Sequence, residues 1–344
     1  MITIDGAEGE GGGQVLRSAL TLSLVTGEPF TIQNIRARRK SPGLKRQHLA
    51  AVQAAARVGA AEVEGDSLES MRLQFRPAVL SGGHYDLRIH GAGSTSLVLQ
   101  TLLPALLFAD APATVLMEGG THNPWAPPFD YLTRAYLPLL ARMGARISGE
   151  LLQYGFFPAG GGACQFHVEP CRQLRGIELL ETGPLLNRRF TAVVANLPLH
   201  IAERECDTFA RKSGWPVRCF QCETVTARGP GNVAMAELDY ELTPQLFIQF
   251  GKQGVKAEHV ASNLWREVQR YQNQEAPISD YQADQLLLPL GLAAWKGGGP
   301  GLFRTGSLTE HSRTHIEVLQ RFLPIAITAE EDGKNQIVRV EAAR

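Results

Sequence analysis

The chain has 344 residues, of which 44% are hydrophobic and 20% charged, and its 34 basic residues balance 34 acidic ones. This length leaves room for about two or three domains, and the balanced charge excludes nucleic-acid binding through a globally basic surface. No apolar run approaches the roughly 18 residues that a membrane span needs, and residues 1–5 (MITID) predict a strand rather than a targeting leader, so we expect a cytoplasmic protein without a membrane partner.

The first predicted unit occupies about residues 1–80. Hydrophobic periodicity predicts strands at residues 1–5, 30–35, 61–63 and 71–76 and helices at residues 15–25 and 44–58. The resulting order is β-α-β-α-β-β. A second unit, residues 85–168, repeats this order, with helices predicted at residues 97–108 and 129–143.

A third copy is interrupted. Its first strand is predicted at residues 176–181, but its helices, predicted at residues 286–294 and 315–322, come only after Asp280. Strands at residues 190–195, 217–224, 233–240 and 246–250 and helices at residues 200–212 and 257–271 lie between. The fold class is therefore predicted as α+β, with a three-repeat domain at residues 1–178 and 278–344 and an inserted α/β domain at residues 179–277. Equivalent loops of the three repeats should gather at one edge and build one site.

A glycine-rich segment, residues 6–14 (GAEGEGGGQ), precedes the first helix. Backbone amides at a helix N-terminus favour phosphate, and Glu10 beside bound phosphates would suit Mg²⁺ or Mn²⁺. The segment lacks the Gly-Lys-Ser/Thr of the phosphate loop. A flexible turn with solvated acids is an equal alternative on this pattern alone.

A dense basic segment follows the second strand. Its cations are Arg36, Arg38, Arg39, Lys40, Lys45 and Arg46, with His48 next and no acid from residue 35 to residue 48. Arg17, one helix earlier, could join them. Guanidinium groups bind phosphate through paired hydrogen bonds, which favours an anionic ligand over a solvated basic face, because nothing nearby in sequence offsets the repulsion.

Residues 310–314 (EHSRT) are predicted on the loop that enters the final helix. A histidine beside a hydroxyl and a cation could be a general base, a metal ligand or a nucleophile. The chain has nine histidines, and composition does not choose His311 over His315, His122 or His48.

Six segments together resemble the RNA 3'-terminal phosphate cyclase family, in order and over nearly the whole chain. They are residues 6–14 (GAEGEGGGQ), 46–48 (RQH), 91–94 (GAGS), 155–162 (GFFPAGGG), 229–232 (GPGN) and 281–285 (YQADQ). The resemblance implies repeats like the C-terminal domain of translation initiation factor 3 and an inserted domain of thioredoxin-like topology. It further implies ATP-dependent conversion of an RNA 3'-phosphate to a 2',3'-cyclic phosphate, through an adenylylated histidine and an RNA-pyrophosphate-adenosine intermediate. ATP, Mg²⁺ or Mn²⁺ and RNA with a 3'-phosphate end are the implied partners, and a homodimer remains possible.

The resemblance also assigns residues. His311 matches the adenylylated histidine and Glu10 the metal-binding glutamate. Positions around ATP are matched by Gln100, Pro127, Tyr281, Gln282, Ala283, Asp284 and Gln285, with Tyr281 and Pro127 expected against the base. Positions that hold RNA or other phosphates are matched by Arg17, Arg36, Arg39, Gln47 and His48. Tyr154 and Cys164 depart from the family's usual residues around the glycine triplet, and residues 295–301 form a longer loop that is either a lid or a tolerated insertion.

Two other functions remain as alternatives. A non-catalytic cyclase-like ribosome-assembly protein would share the fold but lack the catalytic histidine, and an enolpyruvyl-type transferase has related repeats. Presence of His311, Tyr281, Asp284 and Gln285 argues against the first alternative. The match around the adenosine, together with the absence of the transferase's lysine-rich segments, argues against the second. Cys219 and Cys222 form a C-x-x-C pair, but they lie in a predicted strand that would place them on opposite faces, which argues against a redox pair. The five cysteines form no even framework, so reduced thiols are expected.

Overall fold

A computed structural model of the protein describes residues 1–343. Its helices are α1 Gly13–Thr26, α2 Arg46–Val58, α3 Thr95–Leu106, α4 Phe129–Tyr131, α5 Leu137–Arg142, α6 His200–Ser213, α7 Ala257–Gln274, α8 Asp280–Trp295 and α9 Glu310–Phe322, with a π turn at Leu132–Tyr136 and a 3₁₀ turn at Val217–Cys219. Its strands are β1 Ile2–Asp5, β2 Phe30–Gln33, β3 Glu62–Glu64, β4 Leu73–Arg76, β5 Gly83–Arg88, β6 Ala113–Gly119, β7 Arg146–Gln153, β8 Gly162–Glu169, β9 Glu178–Leu179, β10 Leu185–Ala195, β11 Phe220–Val225, β12 Gly231–Tyr240, β13 Gln245–Phe250, β14 Gly301–Thr305, β15 Ile325–Asp332 and β16 Asn335–Ala342.

Three of the four-stranded sheets have the same strand order: β1-β2-β4-β3, β5-β6-β8-β7 and β9-β14-β16-β15. In each, the first two strands are parallel and the last two pair antiparallel to their neighbours. A parallel pair needs a crossover, and α1, α3 and the long segment from β9 to β14 provide it. The α+β class is confirmed, whereas the likeness to initiation factor 3 and the domain boundaries stay predictions.

The fourth sheet, of order β11-β10-β12-β13, is covered on one face by α6 and α7. Phe190 and Phe209 pack there at 4.5 Å between ring centroids, within an apolar cluster of its own. Val193 and Met235 lie on the other face and belong to the large cluster of the three repeats. The inserted sheet is therefore packed firmly on the main body, which lets it form one wall of a cleft; its thioredoxin-like topology stays a prediction.

Two helices begin earlier than the sequence pattern predicts. Helix α8 starts at Asp280 rather than residue 286, and α9 at Glu310 rather than residue 315. The first turns are polar, so apolar periodicity misses them, although Thr309 caps α9 by accepting a hydrogen bond from the Ser312 amide at 3.1 Å. His311 therefore lies in the first turn of a helix and not on a loop, which corrects that prediction.

The helix predicted at residues 129–143 is interrupted. It is built from α4, the π turn and α5, because Pro138 has no amide proton to continue the helical ladder at that point. The loop at residues 296–300 packs on the chain before β9, where the Gly176 amide donates to the Gly298 carbonyl at 2.9 Å. It does not line the cleft, which supports the tolerated insertion over the lid.

All five cysteines are free thiols. Cys219 ends the 3₁₀ turn ahead of β11, so strand alternation does not apply to it, and both Cys219 and Cys222 contact the apolar cluster under α6. The prediction that they lie on opposite faces is wrong. The thiol nearest to Cys222 is Cys206, at 2.9 Å between sulfur atoms. No helix within residues 1–343 is long and apolar enough to cross a lipid bilayer.

Candidate active site

A cleft of about 1710 Å³ opens between the three repeats and the inserted domain. Eight of the residues assigned by resemblance line it: Glu10 and Arg17 from the first repeat, Gln100 and Pro127 from the second, and Tyr281, Asp284, Gln285 and His311 from the third. Residues 246–255 of the inserted domain supply the facing wall. The three repeats thus contribute to one site.

Asp284 is the centre of hydrogen bonding in this cleft. Gln14 Nε2 donates to its two carboxylate oxygens at 2.7 and 2.9 Å. His311 Nδ1 lies 3.1 Å and His315 Nδ1 3.4 Å from Asp284 Oδ1. Burial by itself would raise the pKa of Asp284, but the hydrogen bonds from the two histidines hold that pKa well below its usual range. Asp284 is therefore an ionised acceptor that fixes the imidazole of His311.

The orientation of His311 follows from its partners. An ionised carboxylate only accepts, so the proton of His311 lies on Nδ1 and, in the neutral ring, the lone pair lies on Nε2. Nε2 faces Glu10 Oε2 at 3.5 Å. Burial lowers the pKa of His311, but the hydrogen bond and charge of Asp284, with the charge of Glu10, outweigh it and leave the pKa above its ordinary value.

Glu10 is held so that one carboxylate oxygen remains available. Oε1 pairs with the Arg39 guanidinium, whereas Oε2 is buried without a hydrogen-bond partner. Within residues 1–343 no group of three or more histidine, cysteine, aspartate or glutamate side chains is arranged to enclose a metal ion. A single carboxylate next to substrate phosphates suits Mg²⁺, which commonly binds through one or two carboxylates, phosphates and water. The orphaned oxygen of Glu10 fits that role.

The glycines of the segment 6–14 let its backbone approach α9 and α2 closely. Gly9 has φ +53°, and a Cβ at this position would lie 2.0 Å from Thr314 Oγ1. A Cβ on Gly13 would lie 2.4 Å from His48 Nε2 and 3.0 Å from an Arg17 nitrogen. The glycine-rich segment is therefore a close-packed junction and not a flexible turn.

Arg17 and His48 form the floor of this junction. Burial lowers the pKa of Arg17 to about 10, while the charges of Asp284 and Glu10 act the other way, so the guanidinium stays charged at neutral pH. Burial, followed by the charges of Arg17, Arg36 and Lys45, lowers the pKa of His48 to about 3. His48 is therefore a neutral ring whose Nδ1 lies 3.1 Å from the Lys45 amide.

The basic segment is compensated by acids distant in sequence. Arg39 pairs with Glu10, and Lys45 Nζ lies 3.5 Å from Glu69 Oε1. Arg36 donates to the carbonyls of residues 41 and 43 at 2.8 and 3.0 Å, so its guanidinium closes its own loop. Arg39 reaches the cleft edge through Glu10, whereas Arg36 does not; the phosphate-binding roles assigned to both by resemblance stay predictions.

Other predicted residues also lie off the cleft. Gln282 is buried and donates to the Pro244 carbonyl at 2.7 Å, and Ala283 is buried in the main core. Gln47 and His48 lie on α2 and are not part of the cleft lining. Their assigned roles stay predictions.

Sequence reasoning did not connect two polar side chains of the site with Asp284. Gln14 closes the glycine-rich motif, and its side chain reaches Asp284. His315, one turn after His311 on α9, donates from Nδ1 to the Asp284 carbonyl oxygen at 3.1 Å. The spacing of four residues between the two histidines is the one local signal that could have joined them to a common acceptor.

The chain is similar to known proteins over nearly its whole length. The family model described as RNA 3'-terminal phosphate cyclase matches residues 8–329. The chain is 46% identical over 341 residues to the RNA 3'-terminal phosphate cyclase of Ectopseudomonas mendocina, covering 99% of this chain and 97% of the relative. It is 45% identical over 333 residues to the RNA 3'-terminal phosphate cyclase of Koribacter versatilis, covering 96% of this chain and 92% of the relative. The solved structure of the enolpyruvyl transferase NikO from Streptomyces tendae matches with a TM-score of 0.30 at 16% identity, over 50% of this chain and 33% of that one. The chain belongs to the RNA 3'-terminal phosphate cyclase family.

Proposed function

We propose that the protein is an ATP-dependent RNA 3'-terminal-phosphate cyclase, a ligase that works through AMP attached to His311. The observation that carries the proposal is the position of His311 between Asp284 and Glu10. His311 Nδ1 lies 3.1 Å from Asp284 Oδ1, and His311 Nε2 lies on the side of Glu10, 3.5 Å from its Oε2. A histidine fixed by a carboxylate on one nitrogen presents the other as a nucleophile.

In the proposed first step His311 Nε2 attacks the α-phosphorus of ATP, a phosphorus–nitrogen bond forms and pyrophosphate leaves. Asp284 stabilises the positive charge that develops on the ring, because its carboxylate stays ionised. Arg17, charged and buried beside Glu10, is placed to stabilise charge on the leaving group. A bound Mg²⁺ or Mn²⁺ would neutralise phosphate charge, with Glu10 as the residue that holds it.

The adenosine is proposed to lie between Tyr281 and Pro127. Both line the cleft, and Tyr281 is 67% exposed, so its ring face is available for stacking. Gln285 Oε1 is buried without a hydrogen-bond partner in the same wall. A buried acceptor of this kind needs a donor from the ligand, and adenosine offers its amino group and ribose hydroxyls.

In the second and third steps the RNA 3'-phosphate takes AMP from His311, and the neighbouring 2'-hydroxyl then attacks the terminal phosphorus. The ring closes and AMP leaves. The last step is intramolecular, so the nucleophile is already next to its target.

The test is incubation with ATP labelled at the α-phosphate, in the absence of RNA. We expect acid-labile label on the wild type and on His259→Asn, which changes an exposed histidine of α7 that does not line the cleft. His311→Asn and His311→Ala should retain neither label nor cyclisation while remaining folded. Label on a His311 variant would overturn the assignment, and absence of label on the wild type would favour the non-catalytic alternative or a transferase.

A further inference from the structure

Two exposed aromatic side chains stand together at the cleft. Trp125 is 92% exposed and Phe157 53% exposed. Their ring centroids are 6.5 Å apart, edge to face at 76°. Both line the same cleft as His311, and both belong to the second repeat.

The exposure of Trp125 costs free energy, and the loop that carries it is anchored. Its φ of +63° is a conformation that bulky residues rarely adopt, and an exposed indole forgoes the free energy of burial. Its loop is anchored on both sides. Asn123 Nδ2 donates to the Ala92 carbonyl at 2.6 Å, and the Phe129 amide donates to the Thr121 carbonyl at 3.1 Å. The indole is therefore held outward by a fixed loop.

One cation packs on the turn after Phe157, and another lines the same cleft. The turn after Phe157 packs on Arg228, since a Cβ on Gly161 would lie 2.8 Å from Arg228 Cδ. Lys252 lines the cleft from the inserted domain, and both cations are exposed. Aromatic faces next to cations are the combination by which proteins hold single-stranded nucleic acid, because bases stack and phosphates are attracted.

We propose that Trp125 and Phe157, the aromatic platform, stack the nucleobases upstream of the terminal nucleotide, which is the nucleotide that carries the RNA 3'-phosphate. The proposal rests on the proposed function, and the platform then adds a site for the RNA strand beyond its reacting end. The cleft supports this occupant, because about 1710 Å³ exceeds the roughly 300–1,000 Å³ of a typical small-molecule site and leaves room beside ATP.

The experiment compares Trp125→Ala, Phe157→Ala and the conservative Trp125→Phe in two assays. The first measures adenylate formation from ATP without RNA; the second measures KM and kcat for oligonucleotides with a 3'-phosphate. We expect adenylate formation to be unchanged and KM for RNA to rise roughly 5- to 150-fold in the alanine variants, which corresponds to about 1–3 kcal/mol per lost stack. Trp125→Phe should keep most of the affinity.

Changing the substrate gives a readout that a structural defect would not move. A nucleoside 3'-phosphate has no upstream base, so wild type and Trp125→Ala should use it equally well. An abasic residue next to the 3' end should weaken the wild type but not Trp125→Ala. Leu186→Ala, which trims an exposed apolar side chain of β10 outside the cleft, is the matched control and should leave both assays unchanged.

Three results would overturn the proposal. An unchanged KM for RNA in Trp125→Ala would mean that no base stacks there. Loss of adenylate formation in Trp125→Ala would assign the indole to ATP. A change of oligomeric state without a change in KM would assign the aromatic platform to contact with a second copy. Wild type that forms no adenylate at all would instead contradict the proposed function.

Discussion

Replacing Asp284 by asparagine should change both the rate and the pH dependence of adenylate formation. The carboxylate accepts from Gln14, His311 and His315 at 2.7 to 3.4 Å. A hydrogen bond to a charged group contributes about 1.5–3 kcal/mol and a neutral one about 0.5–1.5 kcal/mol, so the His311 bond should weaken by about 1–1.5 kcal/mol. A weaker bond to Asp284 favours the charged ring less, so the pKa of His311 should shift.

The sign follows from the causes of the shift. Asp284 raises the pKa of His311, and burial lowers it. Without the carboxylate the pKa of His311 falls, so neutral His311 persists to lower pH and the acid limb of the rate profile should move to lower pH. The plateau rate should nevertheless fall by about tenfold or more, because the imidazolium loses its stabilising charge and the ring its orientation.

Single-turnover labelling of the protein by ATP over a range of pH measures both effects. Asp207→Asn, an exposed carboxylate on α6, is the control and should follow the wild type. An acid limb that stays in place, or moves upward, in Asp284→Asn would refute the coupling between Asp284 and His311. An unchanged plateau would refute the orienting role.

Three further outcomes follow from the geometry. Arg39→Ala should free the Glu10 carboxylate and impair cyclisation of a 3'-phosphate end more than labelling by ATP; loss confined to labelling would place Arg39 on ATP. Tyr281→Ala should raise KM for ATP by a factor that corresponds to the loss of about 1–3 kcal/mol of stacking free energy, whereas Tyr281→Phe should retain most of the affinity for ATP. Equal losses of affinity in the two variants would implicate the hydroxyl. Burial raises the pKa of Glu205 from 4.5 to about 7, so the folded state holds a proton that the unfolded state releases and stability should fall by about 3 kcal/mol as pH rises through that window. Glu205→Gln should flatten this fall in urea unfolding at pH 5 and pH 8, and an equally steep fall would contradict the origin assigned to it.

Sequence periodicity predicted elements whose apolar face is continuous. Helix α6 was expected at residues 200–212 and is observed at His200–Ser213, because its buried positions recur at a helical spacing from Ala202 to Phe209. The starts of α8 and α9 were missed, since their first turns are polar and contribute no apolar period. Helix ends of this kind are decided by caps such as Thr309 and by the tertiary site they serve.

The site was less accessible to local reasoning. His311 was singled out by resemblance, because its partner Asp284 lies on a different helix. Gln14 is 270 residues from Asp284, and no local pattern reports a contact across that separation. The basic segment was read as uncompensated because Glu10 and Glu69 approach it only in the folded chain.

The most direct test of the central claim is to locate the AMP. Trypsin cleaves after Arg304, Arg313 and Arg321, so His311 falls in the peptide 305–313 and His315 in the peptide 314–321. After incubation with ATP and digestion at neutral pH, mass spectrometry should find the mass of one AMP on peptide 305–313 and none on 314–321. AMP on another peptide, on a lysine, or on no peptide of a protein that still cyclises RNA would contradict the account.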